Sequence, residues 1–351
     1  MANDMNRSRR SFLKGASVAG VLGLAGCLDQ SAGGDGDGGA WTLGTSSEGS
    51  SSFAIGSNWT EYASQNDALD FEVDAVITEG TGASYRRMDR GDFELSGTTT
   101  QLLAASPDTG PYEDEPLQDF DNIRQIRGYM GFYNFGLYNA DEVDGWDDLE
   151  GSSVAISSAG SGTRPPVEWL VDQEVGMDNI DARYMAFADM PAAMRSGQID
   201  AMFTWTVNKT NPQGAFQEVD ATVNWEPLPI SEATRDKLQN DLAYLTYVQL
   251  DEDTVAQNTE NYSEPLDTFT LTYLYVAKAD RDDDRIYDIT KFTYENGDEL
   301  VDRDSVMGYF PDPDQFMGQL HPDIPVHKGA YDYYTEEGLW EDYDLTPPPE
   351  A

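Results

Sequence analysis

Cysteine is almost absent: the 351-residue chain has one, Cys27, so no disulfide can form within it. Histidine is nearly as scarce, with only His321 and His327. No HExxH or CxxC spacing occurs, which removes the usual ligand sets for zinc. Neither a GxxxxGK loop nor a GxSxG elbow is present, and Gly80-x-Gly82 and Gly160-x-Gly162 lack the third glycine of a dinucleotide fingerprint. Basic residues are few, 21 Lys and Arg against 65 Asp and Glu, a formal charge of −44. That sign argues against nucleic acid as a partner. It also opposes compaction by self-repulsion, yet aromatics make up 11% of the chain, too many for a disordered one. Such a surface suits a salt-rich environment, where at ~1 M salt the Debye length falls to ~3 Å. Acidic runs such as Asp280 to Asp284 are read as solvated surface. No enzyme class finds its residues here, and no cofactor is expected. Beyond the N-terminal segment no apolar run approaches the ~20 residues of a spanning helix.

What the N-terminus holds is more specific. Ser8-Arg9-Arg10-Ser11-Phe12-Leu13-Lys14 resembles a twin-arginine export signal, and Leu24-Ala25-Gly26-Cys27 resembles a lipobox. The apolar stretch between them, Gly15 to Gly26, is too short to span a bilayer. Residues 1–26 are therefore expected to be a lipoprotein signal peptide, with Cys27 lipidated and the body held outside the cytoplasmic membrane. Residues 27–40 (CLDQSAGGDGDGGA) read as a flexible linker, with a reach of ~20 Å for about 13 residues.

From Trp41 onward, strands and helices alternate. Trp41 to Thr45 reads as a strand, Phe53 to Ala63 as a helix, and Phe71 to Val76 as a half-buried strand of period two. Alternation of this kind indicates parallel βαβ units. Residues 123–139 form one or two long strands able to cross between lobes, and Leu271 to Ala277 forms another strand. Ala192 to Thr204 repeats the helix, turn, strand order of Arg86 to Gly97, which suits a duplicated architecture. Thr346 to Ala351 reads as a frayed, proline-rich end.

Four ordered stretches carry a family resemblance. They are Leu43-Gly44-Thr45-Ser46-Ser47; Asp148 to Ile156 followed by Gly160-Ser161-Gly162-Thr163; Arg195-Ser196-Gly197-Gln198-Ile199-Asp200-Ala201; and Ile324-Pro325-Val326-His327-Lys328-Gly329-Ala330 with Tyr334 and Glu336-Glu337-Gly338. Together they resemble the TAXI-type solute-binding subunits of TRAP transporters. Two departures stand out, a serine-rich first loop and Lys328-Gly329 where the family has Pro-Gly. The resemblance implies an α/β periplasmic-binding-protein-like type II fold, two lobes with a ligand cleft between them. Lobe I would hold residues 41–132 plus 262–351, and lobe II residues 133–261. It also implies integral membrane partner subunits driven by an ion gradient.

Ligands of α/β sheets sit beyond the carboxyl ends of strands. Two loops there carry hydroxyls and glycines, Thr45-Ser46-Ser47 and Ser161-Gly162-Thr163. Each precedes a helix N-terminus, whose free N–H groups and positive partial charge suit a carboxylate. The same hydroxyls also serve as N-caps. Pro165 and Pro166 remove two donors. Arg164 offers either a charge-assisted contact in their place or a surface ion pair. The resemblance puts Thr98-Thr99-Thr100 and Thr204 to Asn208 at the cleft walls, making Thr99, Thr100, Thr206 and Asn208 candidate contacts. Trp205 either stacks on ligand or fills core, and Glu48 either meets a ligand amine or lies in solvent. The expectation is an extracytoplasmic binding protein for a small organic acid or amino acid. The same fold also serves ABC importers and ligand-sensing modules of membrane receptors.

Overall fold

The computed structural model describes residues 39–349, except 47, 49, 67, 68, 106, 109–111, 113, 114, 158–160, 162 and 243. The export signal, the lipobox with Cys27, most of the linker, Ser47 and Gly162 thus lie outside the described residues.

The first half runs β1 (Trp41–Gly44), α1 (Ser51–Gln65), β2 (Val73–Val76), α2 (Thr81–Asp89), β3 (Leu95–Thr99) and α3 (Thr100–Ala104). The long strand β4 (Ile123–Asn139) leads to β5 (Ser153–Ser157), α4 (Arg164–Glu174), β6 (Asp181–Tyr184), α5 (Met190–Arg195) and β7 (Ala201–Val207). Then come β8 (Asn211–Pro212), α6 (Gly214–Thr222), β9 (Trp225–Leu228), α7 (Glu232–Asp241), β10 (Leu245–Leu250) and α8 (Glu252–Val255). A second long strand, β11 (Leu266–Lys278), precedes the C-terminal helices α9 (Asp283–Glu295), α10 (Gly297–Arg303), α11 (Pro313–Phe316) and α12 (Lys328–Glu336). Among the described residues no helix is long and apolar enough to cross a membrane.

Local chemistry accounts for these elements. Ser50 caps α1, its hydroxyl accepting the Phe53 N–H at 3.2 Å. The helix buries Ser52, Ile55, Gly56, Trp59 and Ala63, one stripe at three- and four-residue spacing. In α4 the two prolines occupy the first turn, where their missing N–H costs nothing, and Pro166, Val167, Leu170 and Val171 face inward. The reading of 123–139 resolves into one 17-residue strand, buried at almost every position because both faces are covered.

The strands form one sheet in the order β2-β1-β3-β11-β4-β7-β5-β6, with β10, β8 and β9 off this path. The order is a palindrome of roles. β1 pairs parallel with β2 and β3, and β3 meets β11 antiparallel. Likewise β5 pairs parallel with β6 and β7, and β7 meets β4 antiparallel. The long β4 and β11 join the halves along one antiparallel ribbon. This arrangement bears out the duplicated architecture.

The repeat extends to single residues. After α2, Gly91 takes φ +85°, and after α5, Gly197 takes φ +67°. Each glycine ends its helix in the left-handed conformation open to it. Phe93 and Ile199 follow and are buried. Next come acids doing one job twice: Glu94 Oε2 accepts the Thr42 N–H of β1 at 2.8 Å, and Asp200 Oδ2 accepts the Ser153 N–H of β5 at 2.9 Å.

Two sequence expectations change. The strand read as Leu271 to Ala277 begins at Leu266. The terminal segment is docked at Thr346, whose carbonyl accepts the Val326 N–H at 3.0 Å and whose hydroxyl bonds Pro322 O at 2.7 Å. The short strands β6, β8, β9 and β10 carried no readable alternation in the sequence.

Candidate functional site

Strand register points to a candidate site. Thr99, the last residue of β3, lies opposite Tyr273 of β11, which lies opposite Met130 of β4. Val207, the last residue of β7, lies opposite Phe132 of β4, which lies opposite Leu271. The carboxyl ends of both inner strands therefore converge on the middle of the ribbon, where ligands of such sheets sit.

An aromatic run crosses the ribbon there. The Phe132 and Trp205 rings stack at 5.0 Å, Phe132 and Tyr273 lie 4.9 Å apart, and Phe187 meets Trp205 edge-on at 4.6 Å. All four rings are half-buried, which leaves apolar surface open beside the strand ends. Desolvation holds the Tyr273 hydroxyl well above its usual pKa, so it stays a neutral donor. Tyr129 borders the run 6.2 Å from Tyr273, and its hydroxyl meets Ser52 Oγ in the first turn of α1 at 2.7 Å. The run thus joins the α1 N-terminus of one half to the strand β7 of the other.

The candidate residues divide around this run. Trp205 is part of it. Ser46 is half-buried at the carboxyl end of β1, its carbonyl accepting the Thr78 N–H at 3.1 Å. Glu48 stands exposed on the turn before α1. Thr45 is fully buried, its hydroxyl bonded to Val76 O at 2.7 Å. At the carboxyl end of β5, the Thr163 hydroxyl bonds Ser157 at 3.1 Å and Ser161 at 2.9 Å, a small hydroxyl network of which Ser161 is the half-buried member.

The remaining candidates lie in or beside the strand ends. Thr99 caps α3 by accepting the Leu102 N–H at 3.2 Å, and the Thr100 hydroxyl bonds Tyr244 O at 2.7 Å. Thr206 is fully buried opposite Tyr133, on the side of β7 away from Trp205, and its hydroxyl has no partner among the described residues. Asn208 takes φ +52°, accepts the Gly131 N–H at 2.9 Å and donates to Val306 O, so it staples the end of β7 to β4 and to the C-terminal segment. Arg164 opens α4. Its Nε bonds Glu168 Oε1 at 2.8 Å and its guanidinium lies 4.4 Å over the Tyr184 ring, so the surface ion pair is what forms.

Tyr129, Phe132, Phe187, Tyr273 and Ser52, which the structure adds to the candidate site, were not singled out in the sequence. A signal existed: Tyr129 and Phe132 interrupt the crossing strand, and Tyr273 lies on the other long strand. Only the register between those strands shows that they meet. A groove of about 530 Å³ lies elsewhere, along the outer side of α1 and β2 with Glu61, Asp70, Glu72 and Asp74 on its rim. It lies toward the amino end of β2, away from the convergence point. Among the described residues no His, Cys, Asp and Glu group is placed to hold a metal.

With this geometry established, known proteins offer a comparison. The fold is that of the periplasmic binding proteins. The sulfonate-binding protein SsuA of a Methylobacillus flagellatus ABC transporter shares 10% identity, covers 89% of this chain and 90% of its own, and superposes with a TM-score of 0.50. The aliphatic sulphonate binding protein SsuA of Escherichia coli shares 12% over 86% of this chain and 84% of its own, at a TM-score of 0.44. A binding component of a Pseudomonas aeruginosa ABC phosphonate transporter shares 10% over 87% and 97%, at 0.41. No curated protein matches the sequence. Residues 43–338 match the NMT1-like family, and the chain belongs to that family.

Proposed function

We propose that this chain is an extracytoplasmic solute-binding protein. It captures a small organic acid or amino acid between its two halves and passes it to integral membrane transporter subunits. The observation that carries this reading is the convergence of two inner-strand ends, one from each half, on the half-buried run of Tyr273, Phe132 and Trp205. A ligand lying there touches both halves at once. Closure is then favoured only by contacts that exist when both halves engage it. Lobe I (residues 41–132 and 262–351) and lobe II (residues 133–261) are the bodies we assign to this motion, with β4 and β11 as the connection. Lipidated Cys27 and the glycine-rich linker would keep the protein at the outer face of the membrane.

Delivery to an ABC importer is the reading that the sulfonate-binding relative favours. A TRAP-type permease is the second reading, and it stands on the four ordered motifs alone. Uptake of the identified ligand separates them: an ABC importer stops when ATP is depleted at constant ion gradient, whereas a TRAP permease stops when the gradient is collapsed at constant ATP. The binding reading itself is tested by titration with amino acids, dicarboxylates, sulfonates, phosphonates and sugars. It expects stoichiometric, saturable binding without chemical change in the ligand; turnover of the ligand would contradict it.

A further inference from the structure

Arg127 is only 1% exposed, and its Nε and NH1 have no hydrogen-bond partner among the described residues. Four rings surround the guanidinium instead: Trp59 at 5.5 Å, Tyr275 at 4.7 Å, Phe310 at 4.7 Å and Phe316 at 5.6 Å. Burial lowers its pKa only to about 10, so it remains a cation at neutral pH. Cation–π contacts offset part of the desolvation, but an unneutralised buried charge is costly and needs an explanation. The chain has 65 acidic residues to pair with, and this arginine makes no ion pair with any described one.

Its position supplies the explanation. Arg127 lies over Tyr275, and Tyr275 stacks on Tyr129 at 4.2 Å. Tyr129 in turn contacts Ser52 and borders the aromatic run through Tyr273. The cation therefore stands behind Tyr275, two stacked rings away from Tyr273 at the near end of the run. Among the candidate residues described, the polar groups are hydroxyls and the Asn208 amide, apart from exposed Glu48 and from Arg164. Arg164 is engaged by Glu168. A buried charge in a medium of low polarity acts over a longer range than a surface one and is poorly screened by salt.

We propose that Arg127 fixes the sign of the ligand's charge, so that the site accepts a small anion in preference to its neutral isostere. This inference rests on the solute-binding reading above and narrows its ligand class.

The test is titration of the intact protein in ~2 M salt with matched pairs: ethanesulfonate against ethanesulfonamide, and succinate against succinamide. The wild type should bind at least one anion about tenfold tighter than its neutral partner, equivalent to ~1.4 kcal/mol. Arg127→Met should erase most of that preference, and Arg127→Lys should retain it. The preference should also hold between ~1 and ~3 M salt, where a surface charge effect would already be screened. Equal binding of both members of each pair by the wild type overturns the inference and leaves the solute-binding reading intact. So does an undiminished preference in Arg127→Met. Binding of neither class overturns the reading on which the inference stands. If Arg127→Met does not fold, Arg127→Gln takes its place and should lose the preference in the same way, while equal binding of both members of each pair by the wild type overturns the inference by itself.

Discussion

Trp205 is held between Phe132 and Phe187 with part of its ring uncovered, so its truncation removes surface of the proposed site more than core. Trp205→Ala should weaken ligand binding at least tenfold while the protein still folds, measured by titration and thermal unfolding. Arg164→Ala should change affinity by less than about twofold, because Glu168 and Tyr184 already hold the guanidinium. The contrast shows what a single sequence can convey at this scale. Trp205 and Arg164 are both conspicuous residues near candidate loops, and only the rotation of each side chain about its own backbone separates them. His327, one of only two histidines, has a structural role that its burial shows. It is fully buried and caps α12, its Nδ1 accepting the Gly329 N–H at 3.2 Å. Burial lowers its pKa to about 4, with Arg124 and Lys328 adding to the shift and the backbone of Lys278 and Asp280 opposing it. The unfolded histidine titrates near ~6.5. Between these values the unfolded chain binds the extra proton, so stability rises with pH in that window and is lost as pH falls from about 6.5 toward 4. The contribution reaches roughly 3 kcal/mol at the acid end. His327→Asn keeps a capping side chain and should flatten the slope of denaturation midpoint against pH across that window. Neutralisation of the many surface acids is common to both proteins and cancels in the comparison.

At the scale of elements, close approaches carry the motifs. A Cβ on Gly329 would fall 2.1 Å from Asp283 O and 2.8 Å from Tyr287 N, so α12 packs on α9 only with glycine there. Gly329→Ala should cost about 2 kcal/mol or more, read as a lower denaturation midpoint. The closing motif that includes His327 and Gly329 is thus explained by helix packing and capping. Asn208→Ala should cost about 2 kcal/mol, since it leaves the Gly131 N–H and Val306 carbonyl unpaired and forces a positive φ on alanine. The helix, turn, strand repeat was readable in the sequence, and its acids emerge with the structure. Glu94 and Asp200 follow a turn glycine and a buried apolar residue in both halves, a local pattern with a local cause. Strands β6, β8, β9 and β10 were not readable, because each is short and is specified by its partner strand rather than by its own alternation. The pairing of β4 with β11 spans more than a hundred residues of chain, and no local signal fixes its register.

At the scale of the whole molecule, the charge of −44 and the central ribbon govern behaviour. Self-repulsion should make the melting temperature climb steeply from ~0.1 M to ~1 M salt, as the Debye length shortens from ~10 Å to ~3 Å. A flat response would show that the acids are already compensated within the fold. The order of strands is palindromic about β11 and β4, and on the proposed reading a ligand at the middle of that ribbon would meet both halves. That geometry is the central claim, and thermal unfolding in ~2 M salt tests it most directly. Wild type and Trp205→Ala would each be scanned against acids, amino acids, sulfonates and sugars. The account predicts a saturable rise for one ligand class in the wild type, worth ~2.7 kcal/mol at a hundredfold excess over Kd, and its loss in the variant. A rise undiminished by Trp205→Ala would place the ligand elsewhere and contradict the account.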